Sequence, residues 1–84
     1  MEKPQRRGSR SRYEADYRRF RERLIAARDE AGLTQRQAAH RLGRSQSFVA
    51  KSESGERRVD VVEMVEFAKA YDKKAAFFLH GRRS

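Results

Sequence analysis

The sequence predicts an all-α domain of five helices, and three observations support this prediction. Apolar residues recur three and four positions apart along most of the chain, which is the spacing of one helix face. Gly32, Gly43 and Gly55 end three of these segments, as expected where a helix closes with one residue in left-handed backbone. No segment alternates apolar and polar residues as a half-buried strand does. We therefore expect a compact helical fold without a sheet.

The N-terminal part of the chain divides into a basic segment and a first helix. Residues 1–12 contain no apolar side chain beyond the initiator methionine, which predicts a disordered arm. The folded domain is expected over residues 13–80. Its first helix spans residues 13–31, and its predicted core-facing residues have helical spacing: Tyr13, Tyr17, Phe20, Leu24 and Ala27.

The stretch from Thr34 to Glu53 predicts two short helices joined by a tight turn. Thr34 can cap the first helix in a capping box with Gln37. Ser45 can cap the second helix after the turn. Two helices this short must cross steeply, so the second one projects from the domain. Its predicted outer face is small and mostly polar, and consists of Gln46, Ser47, Ala50 and Lys51. This arrangement is the helix-turn-helix of DNA-binding proteins.

Two further helices complete the predicted domain. Asp60 can cap the fourth helix with Glu63 as its partner. Its expected buried residues are Val61, Met64, Val65, Ala68 and Tyr71, with Phe67 on the flank. The fifth helix is expected from Lys74 to His80, and residues 81–84 are expected to fray. One of its two adjacent phenylalanines can enter the core and the other is left over, which predicts a homodimer interface drawn from Phe77, Phe78 and Leu79.

The net charge of +9 and the isoelectric point near 10.8 favour a polyanionic partner. The charges are segregated along the chain. Residues 34–58 hold six basic and two acidic side chains, whereas residues 59–72 hold one basic and four acidic side chains. We expect the basic segments to face the polyanion and the acidic fourth helix to face away from it.

The run from Arg28 to Asp60 resembles the helix-turn-helix of the lambda-repressor/Cro-like (Xre-type) transcriptional regulators. The matching residues are Arg28, Thr34-Gln35, Ala39, Gly43, Val49 and Glu53-Ser54-Gly55. The resemblance extends over residues 17–79 and implies a lambda-repressor-like fold. It also implies a paired, partly buried link between Arg28 and Glu53. Three residues depart from the pattern: Arg44 and Ser52 occupy positions that are usually apolar, and Val59 stands where proline is common.

The predicted DNA contacts divide into base contacts and phosphate contacts. Gln46 and Ser47 follow the Ser45 cap, so they should reach base edges first, and glutamine can bond N6 and N7 of adenine together. Gln35 is expected to offer its amide and its backbone N–H to a phosphate from the start of the preceding helix. The whole predicted set is Thr34, Gln35, Arg44, Ser45, Gln46, Ser47, Ala50, Lys51, Arg57 and Arg58.

These patterns predict a small transcriptional regulator that binds double-stranded DNA as a homodimer in the cytoplasm, at the nucleoid. The absence of cysteine excludes disulfides and thiolate metal sites, and the two histidines have no carboxylate at ligand spacing, so no enzyme activity, metal or cofactor is expected. No apolar run is long enough for a membrane span. Two alternatives stay open. One is an antitoxin or adaptor whose main partner is a protein, such as a toxin or the transcription machinery. The other is a controller of a restriction-modification operon.

The basic segment at residues 1–12 likewise has two interpretations. It is either a solvated tail or an arm that contacts DNA phosphates or a minor groove.

Overall fold

The structure, a computed structural model, describes the backbone of residues 3–79 and the side chains of residues 12–79. Within this range it contains five helices and no strand, which confirms the predicted all-α class. The helices are α1 (Lys3–Glu30), α2 (Gln35–Leu42), α3 (Gln46–Ser54), α4 (Val61–Ala70) and α5 (Ala75–Leu79). The expected helix end at His80 and the expected frayed residues 81–84 lie outside the described residues.

The first helix begins earlier than the sequence analysis expected. The backbone of residues 3–12 is helical and continuous with the rest of α1, so a helical extension replaces the disordered arm expected there. Lysine, glutamine and arginine lose little side-chain freedom in a helix, and proline is tolerated in a first turn, where Pro4 lies. Apolar periodicity cannot detect such a segment, because its sequence contains no apolar stripe.

The N-caps predicted for the two helices of the helix-turn-helix are present in the structure. Thr34 accepts a hydrogen bond from the Gln37 backbone N–H at 3.1 Å, and the Gln37 side chain accepts one from the Thr34 N–H at 2.9 Å. Ser45 caps α3 by accepting from the Phe48 N–H. Gly43 and Gly55 follow α2 and α3 with φ of 70° and 90°, in the left-handed region that glycine enters at little cost. These bonds set the ends of both helices.

The core lies where α1, the two helices of the motif, α4 and α5 meet. Leu24 and Ala27 of α1 and Val49 of α3 are fully buried at its centre. Phe78 enters the core from α5 and meets Phe20 edge to face, with ring centroids 6.1 Å apart. Tyr13 is exposed and forms no part of this core, contrary to expectation.

The buried face of α4 differs from the predicted one. Phe67, expected on the flank, is fully buried and stacks on Phe48, with ring centroids 5.7 Å apart. Val61 and Val65, expected inside, are exposed. Both sets of residues have helical spacing, so the sequence pattern does not separate them. The larger ring buries more apolar surface, and the helix is rotated accordingly.

Four arginine side chains donate hydrogen bonds to backbone carbonyls at or near helix ends, where intrahelical partners are missing. The bonds run from Arg21 to Glu53, from Arg23 to Phe77, from Arg28 to Leu33 and from Arg41 to Ala70. The donor–acceptor distances lie between 2.8 and 3.1 Å. Part of the large positive charge therefore holds the helices together and is not directed at a partner.

Candidate nucleic-acid interface

Helix α3 presents one face to the core and the opposite face to solvent. Val49 and Ser52 are fully buried. Gln46, Ser47 and Lys51 are exposed, whereas Ala50 is half-buried. The exposed residues begin immediately after the Ser45 cap, at the N-terminal end of the helix. This end therefore offers amide and hydroxyl groups in the position from which a recognition helix reads base edges.

A buried carboxylate joins α3 to α1 and α2. Glu53, only 5% exposed, accepts two hydrogen bonds from Arg28, at 2.6 Å from Nε and 3.1 Å from Nη2. This bidentate bond raises the pKa of Arg28 further above its ordinary value. The link that the family resemblance implied is thus present, and it holds the recognition helix against α1.

The same carboxylate also engages Gln35. The Gln35 amide Nε2 donates to Glu53 Oε1 at 2.9 Å, so this amide points to the carboxylate within the protein. A phosphate approaching the start of α2 would meet the backbone N–H groups of its first turn. One N–H of the Gln35 amide is therefore bound within the protein, and the phosphate contact of this residue stays a prediction.

The C-terminal end of α3 rests on Arg21, which donates from Nη1 to the Glu53 carbonyl. Gly55, in left-handed backbone, closes the helix directly against this guanidinium. A Cβ at residue 55 would lie 3.0 Å from Arg21 Nε. The left-handed backbone therefore favours glycine here, and any other residue would also have to displace the Arg21 side chain by a few tenths of an ångström.

Two of the arginines predicted to bind phosphate contact carboxylates of α4. Arg57 forms a bidentate pair with Glu63 at 3.0 and 3.1 Å, and Arg44 reaches Glu66 at 3.0 Å. Both guanidinium groups also lie over the ring of Phe48, 4.4 and 4.5 Å from its centroid. Glu63 and Glu66 of α4 thus lie beside basic side chains of the predicted DNA-binding surface, although the charge segregation predicted that this acidic helix faces away from the polyanion.

A third predicted phosphate ligand, Arg58, packs against α1. Its guanidinium lies 4.3 Å from the ring centroid of Tyr17 and 3.9 Å from the carboxylate of Glu14. Lys51 and Arg36 are exposed, and neither forms an ion pair with another described residue. Arg36, in the first turn of α2, is absent from the predicted set of DNA contacts. Its place beside Gln35 at a helix start was the signal that could have added it to the phosphate-contact candidates.

The residues predicted to form a dimer interface differ in their burial. Phe78 lies in the core of its own protomer and cannot line an interface without leaving it. Phe77 is half-buried under the guanidinium of Arg23, which lies 3.9 Å from its ring centroid. Leu79 is 64% exposed. Phe78 is therefore the one of the two adjacent phenylalanines that enters the core, because neighbouring residues of a helix point in different directions, and only Phe77 and Leu79 remain available for the predicted interface.

Three of the large exposed apolar side chains of the described residues line one groove, and we name them the apolar face: Tyr13, Val61 and Leu79. The groove has a volume of about 400 Å³ and lies between the middle of α1, the start of α4 and the end of α5. Val62 and Val65 of α4 are also exposed. None of these side chains belongs to α2 or α3.

The part of the chain that the structure describes has no cluster of three metal-binding side chains, and none of its helices is both long and apolar enough to cross a membrane.

Comparisons with known proteins agree with this geometry. A family described as a helix-turn-helix domain matches residues 18–74. An XRE-family like protein from Pseudomonas syringae pv. tomato str. DC3000 is 39% identical, with a TM-score of 0.81, over 86% of this chain and 88% of that one. The restriction-modification controller protein C.AhdI from Aeromonas hydrophila is 33% identical, with a TM-score of 0.70, over 76% of this chain and 97% of the controller. No curated protein sequence is significantly similar to the chain. The helix-turn-helix geometry and these relatives together show that the chain belongs to the XRE family of DNA-binding transcriptional regulators.

Proposed function

We propose that this regulator reads a specific DNA sequence by placing α3 in the major groove, with Gln46 and Ser47 on base edges. The observation that carries this proposal is the exposure of both side chains at the N-terminal end of α3, whose opposite face is buried. The amide of glutamine matches N6 and N7 of adenine, and the serine hydroxyl can both donate and accept.

Phosphate contacts would position the helix in the groove. The exposed Lys51 and Arg36 support this role, because neither is paired with a carboxylate among the described residues. The N-terminal turn of α2 adds backbone N–H groups and the positive end of a helix dipole. The hydroxyl oxygens of Thr34 and Ser45 accept the capping hydrogen bonds, so their O–H groups remain as donors. Only through these O–H donors would the two side chains contact the DNA backbone.

The test compares Gln46→Ala with Lys51→Ala on cognate and random duplexes, after the cognate site has been selected from random DNA. We expect Gln46→Ala to weaken cognate binding by about 1–3 kcal/mol and to leave random binding nearly unchanged. Lys51→Ala should weaken both by similar amounts, because phosphates are common to all sequences. Equal losses on both DNAs for Gln46→Ala would show that this residue does not read bases.

We further propose that two copies pair through the apolar face and bind two half-sites. Val61 and Leu79 are 68% and 64% exposed, and a second copy would remove them from water. Because the apolar face lies outside α2 and α3, such a dimer would leave both recognition helices free. A two-fold dimer of this kind requires an operator with matching symmetry.

A second candidate function is control of restriction-modification genes. The observation that favours it is the similarity to C.AhdI over nearly the whole length of that controller. This candidate predicts that the selected DNA site lies in the promoter of a neighbouring restriction or methyltransferase gene. A cognate site found only at unrelated promoters would contradict it.

A further inference from the structure

Arg44 lies in the turn between α2 and α3, one residue before the cap of the recognition helix. Its Nη2 lies 3.0 Å from Glu66 Oε1, and its guanidinium lies over the ring of Phe48. The side chains of Arg44 and Glu66 are 36% and 40% exposed, so both reach solvent beside α3. An arginine at this position stands at the edge of the surface that the proposed function directs toward the DNA backbone.

The neighbouring pair provides an internal comparison. Arg57 meets Glu63 through two hydrogen bonds, and the Glu63 side chain is only 12% exposed. Glu63 is further held by its capping bond to the Asp60 backbone N–H. The Arg44–Glu66 pair has a single hydrogen bond, and the Glu66 side chain is much more exposed to solvent than that of Glu63. Of the two carboxylates of α4, Glu66 is therefore the one that can release its arginine at low cost.

We propose that Glu66 competes with a DNA phosphate for Arg44, so that α4 sets the strength of DNA binding. This inference rests on the proposed function. In the free protein the guanidinium is bound to the carboxylate. On DNA it exchanges this partner for a phosphate oxygen, and the contact with Phe48 keeps it at the start of α3.

The exchange has a consequence for selectivity. A phosphate contact carries no sequence information, so weakening it lowers the affinity for cognate and random DNA by the same factor. For a chain with a net charge of +9, non-specific attraction to DNA is strong. Glu66 would reduce this attraction without touching the base contacts of Gln46 and Ser47.

The experiment measures DNA affinity at low salt for Glu66→Gln, on cognate and random duplexes. We expect the affinity to rise by about two- to five-fold on both, the range set by an exposed ion pair. Asp72→Asn is the matched control, because Asp72 lines the same shallow groove as Glu66 and forms no ion pair with another described residue. Asparagine also tolerates the positive φ of 58° at this residue. This control should give a clearly smaller rise.

The decisive comparison repeats both substitutions in an Arg44→Ala background. If Glu66 acts through Arg44, the gain from Glu66→Gln should fall to that of Asp72→Asn. A gain of unchanged size would mean that Glu66 repels DNA directly, and a loss of affinity would mean that it positions Arg44 for binding. Either result would overturn the proposal. Failure of the wild-type protein to bind any duplex would instead overturn the proposed function.

Discussion

At the scale of single residues, Tyr17 supports the loop that follows the recognition helix. Its hydroxyl oxygen accepts a hydrogen bond from the Val59 backbone N–H at 2.9 Å, and its ring lies under the guanidinium of Arg58. The family resemblance implies that proline is common at the position of Val59, and proline has no N–H. This chain therefore has an additional donor in the loop, and Tyr17 satisfies it.

Replacing Tyr17 with phenylalanine keeps the ring and removes the acceptor. We expect this substitution to reduce the free energy of unfolding by about 1–2 kcal/mol, because a part-buried N–H then loses its partner. Val59→Pro removes the donor itself. In a double-mutant cycle by urea denaturation, Tyr17→Phe should therefore cost clearly less in the Val59→Pro background. An equal cost in both backgrounds would show that this hydrogen bond contributes nothing.

At the scale of elements, the start of α4 is held to the loop before it by Glu63. Its carboxylate accepts hydrogen bonds from the Arg57 guanidinium and from the Asp60 backbone N–H. The Arg57 bonds, followed by the Asp60 bond, hold the pKa of Glu63 below its ordinary value of 4.5, although partial burial opposes the shift. The charged form of Glu63 therefore stabilises the folded state.

The sign of the pH dependence follows from this lowered pKa. The contribution of Glu63 is fully present above the pKa of the unfolded chain and is lost as the pH falls through the lower pKa of the folded state. We expect Glu63→Gln to reduce stability at neutral pH and to flatten the decline in stability below about pH 4.5. Urea denaturation across this range measures both effects. If stability fell with pH in parallel for the wild-type protein and for Glu63→Gln, the prediction would be contradicted.

The helical extension of α1 is the second element with a testable role. Residues 1–12 hold five basic and one acidic side chain. If the extension follows DNA phosphates, deleting residues 2–12 should make the slope of log affinity against log salt shallower by about 2–4 units per dimer. The loss of affinity should be similar on cognate and random DNA, because Gln46 and Ser47 remain. An unchanged slope would identify the segment as a solvated extension.

At the scale of the whole molecule, the two proposed interaction surfaces use different helices. The candidate DNA contacts of the helix-turn-helix lie on α2, on α3, in the turns before each of these helices and in the loop after α3. Among the described residues, the large exposed apolar side chains lie on α1, α4 and α5. A second copy on the apolar face would therefore cover neither α2 nor α3.

Leu79→Gln tests this division without changing the net charge. Leu79 is already 64% exposed in the protomer, so its replacement should barely affect folding. A two-fold interface contains it twice, and we expect the dimer dissociation constant to rise by about tenfold or more. Sedimentation measures this dissociation constant. His40→Gln, a substitution of an exposed residue on α2, is the control and should leave the constant unchanged. A wild-type protein that stays monomeric at high micromolar concentration, free and on DNA, would rule out the dimer.

Much of the helix-turn-helix could be predicted from the sequence because its determinants are local. The capping boxes of Thr34 with Gln37 and of Asp60 with Glu63 each join residues three apart. The sequence at a helix start is therefore enough to predict them. The pairing of Arg28 with Glu53 spans 25 residues, and only the family resemblance implied it.

Only the tertiary structure decided which of several equivalent residues is buried or paired. Phe67 and Val65 are both compatible with a buried face of α4, and Phe77 and Phe78 with a buried face of α5. The choice depends on the space that the other helices leave, which periodicity does not contain. The same holds for Arg44, whose charge indicated a phosphate contact. Its carboxylate partner, Glu66, lies 22 residues away, and only packing brings the two together.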